Sequence, residues 1–584
     1  MTAVTSVASP DQGRTELADA GSQAQGPPPS AKPRVGPVFT RLWHPLTAIC
    51  VVQAALSLSL VWSNTAFGDE AWYLWLGRLA IRHWLHGSPW PSQEEHISGS
   101  AFIYPPLAAI ASAAGGLAGA RILSLVFMLV STVLLYLAAS RLIGRNGALF
   151  AAALWALSEP VMRSAFATFD PMSVFLTTVS GYLIVQASYR RRSIWLVAGA
   201  SLALVLANAT AYSGIVIDPA VIAFGFLVWL ECFGALRALR NTALLSAGLV
   251  FGFPLVLVVA HSTAGIAAIF HRTHNDNQSL LLVANDIWKY SGIIIVLAVI
   301  GGGVAVLAEN RLRAALLVFL GCSILVVPAA QLYFQTGWAL DKHLSYGIWF
   351  AAIAAGYGCN ALLRWLPGGS KRLAVVCCVI ALSFPAITNW QLAWGQFHTW
   401  ANGSAFITAF RRAAVDSTDH HKSIFVAGQA HVAEYYSTQG NIWSVWSADG
   451  LSFNPRLPAG ETLTEYYEKE LRRRNYSVIA LFYDTTFSAT AALSGDLIFN
   501  SPNSAQYRKL VSLVGSNTGQ PGLPDLTFAL EGSRDYKLAS VGPFNISSLS
   551  GSEDYGEYTI WKLVARPKPA ARAKHATAAA RNSP

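Results

Sequence analysis

The sequence predicts a polytopic α-helical membrane protein with a small C-terminal extracytoplasmic α/β domain. Of its 584 residues, 53% are hydrophobic and only 12% are charged, about half the charged share of an ordinary soluble protein. Uncharged stretches of membrane-spanning length recur from Pro45 to about Trp390. A soluble protein is excluded. The net charge of +10 does not by itself indicate nucleic-acid binding, because the position of each charge matters more than the sum.

The membrane part is expected at residues 43–391, after a Gly-, Pro- and Ser-rich segment, 1–42, that predicts a disordered cytoplasmic tail. A bilayer core requires about 20 helical residues, and eleven apolar stretches are interpreted as spans, of which the third is the weakest. The first lies between residues 44 and 69. The others lie at 121–141, 147–160, 171–189, 193–212, 219–234, 242–262, 290–308, 314–333, 344–363 and 373–390.

The basic residues predict the orientation of these helices. With the N-terminus inside, five short loops with arginine or lysine all fall on one side: Arg141 and Arg145; Arg190, Arg191 and Arg192; Arg237 and Arg240; Arg311 and Arg313; Arg364, Lys371 and Arg372. Short cytoplasmic loops carry such an excess. We therefore expect a multi-pass protein of the plasma membrane, with a cytoplasmic N-terminus and an extracytoplasmic C-terminal domain.

Acidic residues collect on the opposite, outer face. They include Asp69 and Glu70 in the first outer loop, 65–120, Asp170 in the next outer loop, and Asp341 beside Lys342. Ionisable residues near a membrane are costly to bury and often functional, although any one of them could simply end a helix.

A constellation of short motifs in this region resembles a known family. An acidic pair follows the first span, a long loop with an amphipathic helix comes next, and the chain returns through Tyr104-Pro-Pro-Leu to Arg121 before the second span. This pattern, over about residues 43–363, resembles the polyprenol-dependent glycosyltransferases of the GT-C superfamily. Among these, it is most similar to the protein O-mannosyltransferase and aminoarabinose transferase group, glycosyltransferase family 39 and its kin.

The resemblance implies roles for individual residues. By position, Asp69 would be the catalytic base, Glu70 a supporting carboxylate, and Asp170 the acidic residue of the next outer loop, while Tyr104 would belong to the substrate site. The implied donor is a polyprenyl-phosphate sugar. The implied acceptor is an extracytoplasmic protein, lipid or glycan.

Such a transfer requires a base and cationic side chains in the active site. An acceptor hydroxyl must lose its proton, which a carboxylate can accept, and the departing lipid phosphate needs positive partners. Lys342, His343 and Arg121 are the candidates that would bind it. The alternative for Lys342 is a side chain that reaches the membrane surface and pairs with Asp341.

The sequence contains no clear pattern for a metal site or for disulfide bonds. No His/Cys cluster has zinc spacing, and His271 and His274 are interpreted as part of a polar outer loop. The sequence requires no metal, although a divalent ion is used by some GT-C enzymes. The six cysteines lie in or beside apolar stretches, so no disulfide framework is expected.

The C-terminal residues 402–566 alternate strand and helix patterns and predict an α/β domain, followed by a basic disordered tail at 567–584. Thr462 and Glu465 have the spacing of a helix capping box. This domain would recruit the acceptor, cover the outer cavity or serve a structural role.

Two other functions remain as alternatives to a glycosyltransferase. A transporter or flippase of lipid-linked sugars would be expected to show internal repeats or broken, charged mid-membrane segments. A non-catalytic membrane scaffold would use Asp69 and Glu70 only to end the first span.

Overall fold

The computed structural model describes residues 38–88, 97–190, 194–260, 278–337, 339–365, 371–416, 422–428, 430–437, 442–444, 456–484, 522–548 and 551–565, with a few isolated positions besides. The loop that holds His271 and His274 and the tail at 567–584 lie outside these residues. The predicted N-terminal tail also lies outside them, except that residues 38–42 belong to the first helix.

Helices make up the described part of the chain before residue 400. They are α1 (Val38–Val61), α2 (Gly68–His86), α3 (Tyr104–Ala156), α4 (Glu159–Arg163), α5 (Asp170–Ala187), α6 (Ile194–Thr210), α7 (Asp218–Phe233), α8 (Ala235–Val259), α9 (Leu280–Ala308), α10 (Arg311–Cys322), α11 (Val326–Tyr333), α12 (Leu340–Trp365) and α13 (Lys371–Gln396). Short 3-10 helices lie at Tyr212–Ile217 and Ser323–Leu325.

Six helical segments among the described residues are long and apolar enough to cross a membrane. They are Tyr104–Ala156, Tyr212–Phe233, Ala235–Val259, Leu280–Ala308, Arg311–Tyr333 and Leu340–Arg364. The segments Pro45–Val61 and Ile194–Thr210 are apolar but shorter. The predicted helical membrane protein is therefore confirmed, whereas the count of eleven spans stays a prediction.

Helix α3 is folded back on itself. Its 53 residues would measure about 80 Å if straight, far more than a bilayer core of about 30 Å. Gly116 has a φ of 63°, a left-handed conformation that glycine adopts without steric cost. The Tyr104 hydroxyl lies 3.1 Å from Ser124 Oγ, a contact that a straight helix would not permit across twenty residues. The segment that begins at Tyr104 therefore enters the structure as a hairpin, and a second break follows at Gly144.

Helix α12 lies at the centre of the helical part. Helices α3, α5 and α9 all pack against it. Its Trp349 and Phe350 are almost fully buried, and Phe224 of α7 meets both rings edge-on. Because α12 is held on several sides, the side chains of its first turn, from Leu340 onward, have a fixed position at one end of the bundle.

The C-terminal part contains a mixed five-stranded sheet. Its strands are β1 (Ser423–Ala427), β2 (Ile442–Ser444), β3 (Tyr476–Asp484), β4 (Tyr536–Ser548) and β5 (Gly551–Leu563), in the spatial order β2-β1-β3-β5-β4. Strand β1 runs parallel to β2 and β3, whereas β5 is antiparallel to β3 and β4. The accompanying helices are α14 (Ser404–Val415), α15 (Ala430–Tyr436), α16 (Leu463–Arg472) and α17 (Leu523–Gly532). We call residues 402–566 the outer module, keeping the predicted boundaries and location as predictions.

Candidate active site

The N-terminal turns of three helices carry the candidate site residues. Asp69 and Glu70 lie in the first turn of α2, Asp170 is the first residue of α5, and Lys342 and His343 lie in the first turn of α12. Carboxylates are stabilised at helix N-termini, where backbone N–H groups are unpaired. The structure thus brings together side chains that are up to about 270 positions apart in the sequence.

Asp170 is the buried anion of this cluster, and two basic side chains face it. Its Oδ2 lies 3.0 Å from Lys342 Nζ, and its Oδ1 lies 3.5 Å from His343 Nε2. The Asp170 side chain is only 2% exposed, whereas those of Lys342 and His343 are 14% and 18% exposed. Lys342 therefore neutralises a buried carboxylate, and both basic side chains keep an accessible edge.

The alternative pairing of Lys342 with Asp341 is not what the structure contains. The Asp341 carboxylate instead forms an ion pair with Arg163, whose Nε lies 2.8 Å from Oδ2. The backbone N–H of Lys342, rather than its ammonium group, donates to Asp341 Oδ1, at 2.9 Å. Arg163 thereby becomes a second partly accessible cation beside Lys342.

Asp69 has a different environment from its neighbours. Its side chain is half-buried, and it makes no hydrogen bond or ion pair with any residue that the structure describes. Burial raises the pKa of the Asp69 carboxyl, an effect that the charge of Lys342 opposes and that of Asp170 reinforces. A carboxylate without a partner and with a raised pKa is suited to accept a proton.

Glu70, by contrast, is fully engaged. Its Oε1 and Oε2 accept from Arg121 Nε and Nη2 at 2.8 and 2.7 Å, and both side chains are completely buried. Oε1 also accepts from the backbone N–H of Ala167 at 2.8 Å. Glu70 therefore ties the start of α2 to the segment that leads into Asp170.

Arg121 and Glu70 together form a structural clamp between the end of α1 and the start of α2. Arg121 donates to the carbonyl oxygens of Val61 and Asn64, at 2.8 and 3.1 Å, and its guanidinium lies 5.2 Å from the centre of the Phe397 ring. Its side chain has no exposed surface. In this arrangement, Arg121 positions the end of α1 and the start of α2, and it offers no free face to a lipid headgroup.

Tyr104 lies beneath α2, at the start of the α3 hairpin. It is fully buried, and its hydroxyl is shared with Ser124. Helix α2 crosses this point closely, because a Cβ atom on Gly77 would come within 2.0 Å of the Pro105 carbonyl oxygen. Tyr104 therefore belongs to the support beneath α2, and its contact with a substrate stays a prediction.

The cluster has two further members, Arg163 and Glu159, to which the sequence assigns no role. Their spacing of four residues on a helix is the signal that could have found them. Burial, first, and the charge of Asp341 raise the pKa of Glu159, which the charge of Arg163 lowers, and the net value is about 8. Among the described residues, no group of three or more His, Cys, Asp or Glu side chains is suited to hold a metal ion.

Comparisons with known proteins agree with this fold. Residues 103–261 match the family model described as dolichyl-phosphate-mannose-protein mannosyltransferase. ArnT from Cupriavidus metallidurans bound to undecaprenyl phosphate has a TM-score of 0.53 at 13% identity, over 90% of this chain and 98% of that one. The archaeal oligosaccharyltransferase AglB from Archaeoglobus fulgidus, in complex with an inhibitory peptide and a dolichol-phosphate, has a TM-score of 0.52 at 12% identity, over 88% and 74%. Comparison with curated protein sequences found no significant match.

The resemblance to the GT-C superfamily that the sequence indicated is therefore confirmed. The family model covers the segment from the α3 hairpin to the end of α8. At 12–13% identity, the similarity to the solved structures shows the fold alone.

Proposed function

We propose that this protein is an integral glycosyltransferase of the cell membrane. It transfers a sugar from a polyprenyl-phosphate donor to an extracytoplasmic acceptor. The proposal is supported by the match of residues 103–261 and by the fold shared with structures that hold dolichol-phosphate or undecaprenyl phosphate. The observation that carries it is the Asp69 carboxylate, which has no partner among the residues that the structure describes, beside the partly accessible cations Lys342 and Arg163.

The reaction divides between these groups. The acceptor hydroxyl oxygen attacks the anomeric carbon of the sugar, and the Asp69 carboxylate accepts the hydroxyl proton. The bond between the anomeric carbon and the phosphate oxygen breaks, and the polyprenyl phosphate leaves with one more unit of negative charge. Positive groups aimed at this developing charge lower the barrier.

Lys342 is the first candidate for that stabilisation. An ammonium group has three N–H donors, so Lys342 can donate one to Asp170 and direct another at a phosphate oxygen. Arg163 keeps further N–H donors beyond the Nε that faces Asp341. These two cations and His343 lie on elements of the helical part, where a lipid-linked phosphate would arrive from the membrane.

Replacement of Asp69 tests the proposal directly. We expect Asp69→Asn to lower the rate of transfer about 10²- to 10⁴-fold, the usual contribution of a general base. Envelope glycans and glycoproteins would be compared by mass spectrometry in cells that lack the gene and carry the wild type, Asp69→Asn or Asp416→Asn. Asp416, exposed on the outer module, provides the matched control and should behave as the wild type.

The pH dependence gives a second measure of the same role. A base must be ionised, and burial raises the pKa of Asp69. Transfer by the wild type should therefore be lost as the pH falls through a value above about 3.9, the ordinary pKa of aspartate.

Full activity of Asp69→Asn would favour the scaffold alternative. Movement of a lipid-linked sugar without transfer would favour the flippase.

A further inference from the structure

The outer module is docked on the first outer loop through helix α15. Arg78 of α2 donates to the Tyr435 carbonyl oxygen at 2.7 Å, and its guanidinium lies 4.8 Å from the centre of the Tyr435 ring. The Tyr435 hydroxyl lies 3.0 Å from Ser112 Oγ, and the Tyr436 hydroxyl accepts from the backbone N–H of Ala66 at 3.0 Å. Three separate contacts therefore fix α15 against the elements that hold Asp69.

This docking brings His431 over the face of α2 that carries Asp69. Residues three apart on a helix share a face, so Trp72 lies beside Asp69. The His431 ring stacks on the Trp72 ring, with centres 4.7 Å apart and planes inclined by 7°. His431 also lies within electrostatic range of the Asp69 carboxylate. Its side chain is 37% exposed, so part of the ring is open to a ligand.

Glu434 holds the orientation of this ring. Its Oε2 lies 3.0 Å from His431 Nδ1, and its side chain is only 8% exposed. A carboxylate oxygen can only accept, so Nδ1 carries a proton that it donates to Glu434, and Nε2 is left to make a further hydrogen bond. A ring that is stacked on one face and anchored at Nδ1 presents Nε2 in a defined direction.

We propose that His431, oriented by Glu434, is a positioning residue for the acceptor, and that its Nε2 hydrogen-bonds a hydroxyl group of that molecule beside Asp69. The inference rests on the proposed function and adds that the outer module completes the active site. The acceptor side is indicated because the cations suited to the lipid phosphate lie on the helical part, whereas His431 comes from the outer module. An acceptor that enters from the aqueous side would meet His431 and Asp69 together.

Two replacements of His431 separate hydrogen bonding from packing. His431→Phe keeps an aromatic ring for the stack on Trp72 but removes both ring nitrogens. His431→Gln loses the stack but places an amide near the position of Nε2. Glu468→Gln is the matched control, because Glu468 is an exposed glutamate of the same module that pairs with Arg472.

The assay works with an acceptor of any chemical class. Purified full-length protein in detergent would be given a total lipid extract as the donor source and a delipidated envelope fraction as the acceptor source, both from cells that lack the gene. For His431→Phe, we expect the envelope fraction needed for half-maximal rate to rise about five- to tenfold, the effect of one lost hydrogen bond. The requirement for lipid extract should not change, His431→Gln should recover part of the loss, and Glu468→Gln should match the wild type.

The outcomes that would overturn the inference are distinct. An unchanged envelope requirement in His431→Phe, or an equal rise in both requirements, would make His431 a packing residue only. In either case, an active wild type would leave the proposed function standing. An inactive wild type would overturn the proposed function and the inference with it.

Discussion

Two adjacent carboxylates in the first outer loop have opposite environments. The sequence places Asp69 and Glu70 side by side after the first span, and their resemblance to a family motif ranks one as base and one as support. Neighbouring residues on a helix point about 100° apart, so one turns to Arg121 and the other to the open cluster. The sequence alone could not identify Arg121 as the partner, because that contact depends on how α3 folds back.

The sequence predicts that Lys342 contacts the donor phosphate. The structure pairs Lys342 with Asp170, so a test must separate these two contacts. Lys342→Met should weaken donor binding and lower the rate, because leaving-group charge grows towards the transition state. Lys342→Arg should recover part of the activity, since the charge is kept although the guanidinium differs in shape. The measurement is the transfer rate against the amount of lipid extract.

The double variant Asp170→Asn/Lys342→Met separates two explanations of a loss. If Lys342 only neutralises the buried Asp170, removal of both charges should restore activity, because the penalty lies in the unpaired charge. If Lys342 contacts the phosphate, the double variant should still need more lipid extract than the wild type. Recovery to the wild-type requirement would transfer the phosphate role to Arg163 or His343.

At the scale of elements, the sequence predicts helices better than their connections. The capping box at Thr462 and Glu465 is confirmed, with Glu465 N–H donating to Thr462 Oγ1 at 3.2 Å. For the long α3 hairpin, the motif Tyr104-Pro-Pro-Leu indicates where the chain returns but not where it reverses direction. Hydropathy reports how apolar a segment is, and it does not report which glycine, here Gly116, reverses the chain.

The Glu70–Arg121 pair should act as a structural clamp between these elements. Glu70→Gln leaves a buried arginine without its counter-charge, and the loss of one partner of such a pair costs about 3–5 kcal/mol. We expect a clearly lower unfolding temperature for Glu70→Gln in detergent, followed by intrinsic tryptophan fluorescence. Asp69→Asn, the neighbouring control, should unfold near the wild-type temperature because Asp69 has no such partner among the described residues.

A companion variant checks that explanation. Glu70→Gln/Arg121→Met removes both charges, so it leaves no unpaired charge in the interior, although it also loses the hydrogen bonds of Arg121 to Val61 and Asn64. The double variant should therefore unfold at a higher temperature than Glu70→Gln. Equal instability of the two variants would contradict the clamp, and a stable but inactive Glu70→Gln would make Glu70 a catalytic residue instead.

For the whole molecule, the distribution of charge is more informative than its total. The membrane class follows from composition, and the comparisons confirm the family resemblance. The role of the outer module could not be predicted in this way. Its contacts with α2 and with Ala66 just before it, through Tyr435 and Tyr436, join residues more than 350 positions apart in the sequence, and no local pattern encodes such a pairing.

The orientation of the molecule can be tested across a single helix. Ser279 and Asn310 are exposed residues at the two ends of α9, whose 29 residues suffice to cross a bilayer once. Single cysteines would be introduced at these positions and at Lys469 of the outer module, in a protein whose six native cysteines are replaced. An impermeant thiol reagent applied to intact cells should label Ser279→Cys and Lys469→Cys, and should label Asn310→Cys only after the membrane is opened.

This pattern follows from the arginine-rich short loops, which include Arg311 and Arg313 directly after Asn310. It is also what the proposed function requires, because the first turns of α2, α5 and α12 must share one face with the outer module. Labelling of Asn310→Cys in intact cells would invert the orientation and place Asp69 in the cytoplasm. Labelling of Ser279→Cys without Lys469→Cys would separate the outer module from that face, which would contradict both the docking of α15 on α2 and a role for His431 in the site.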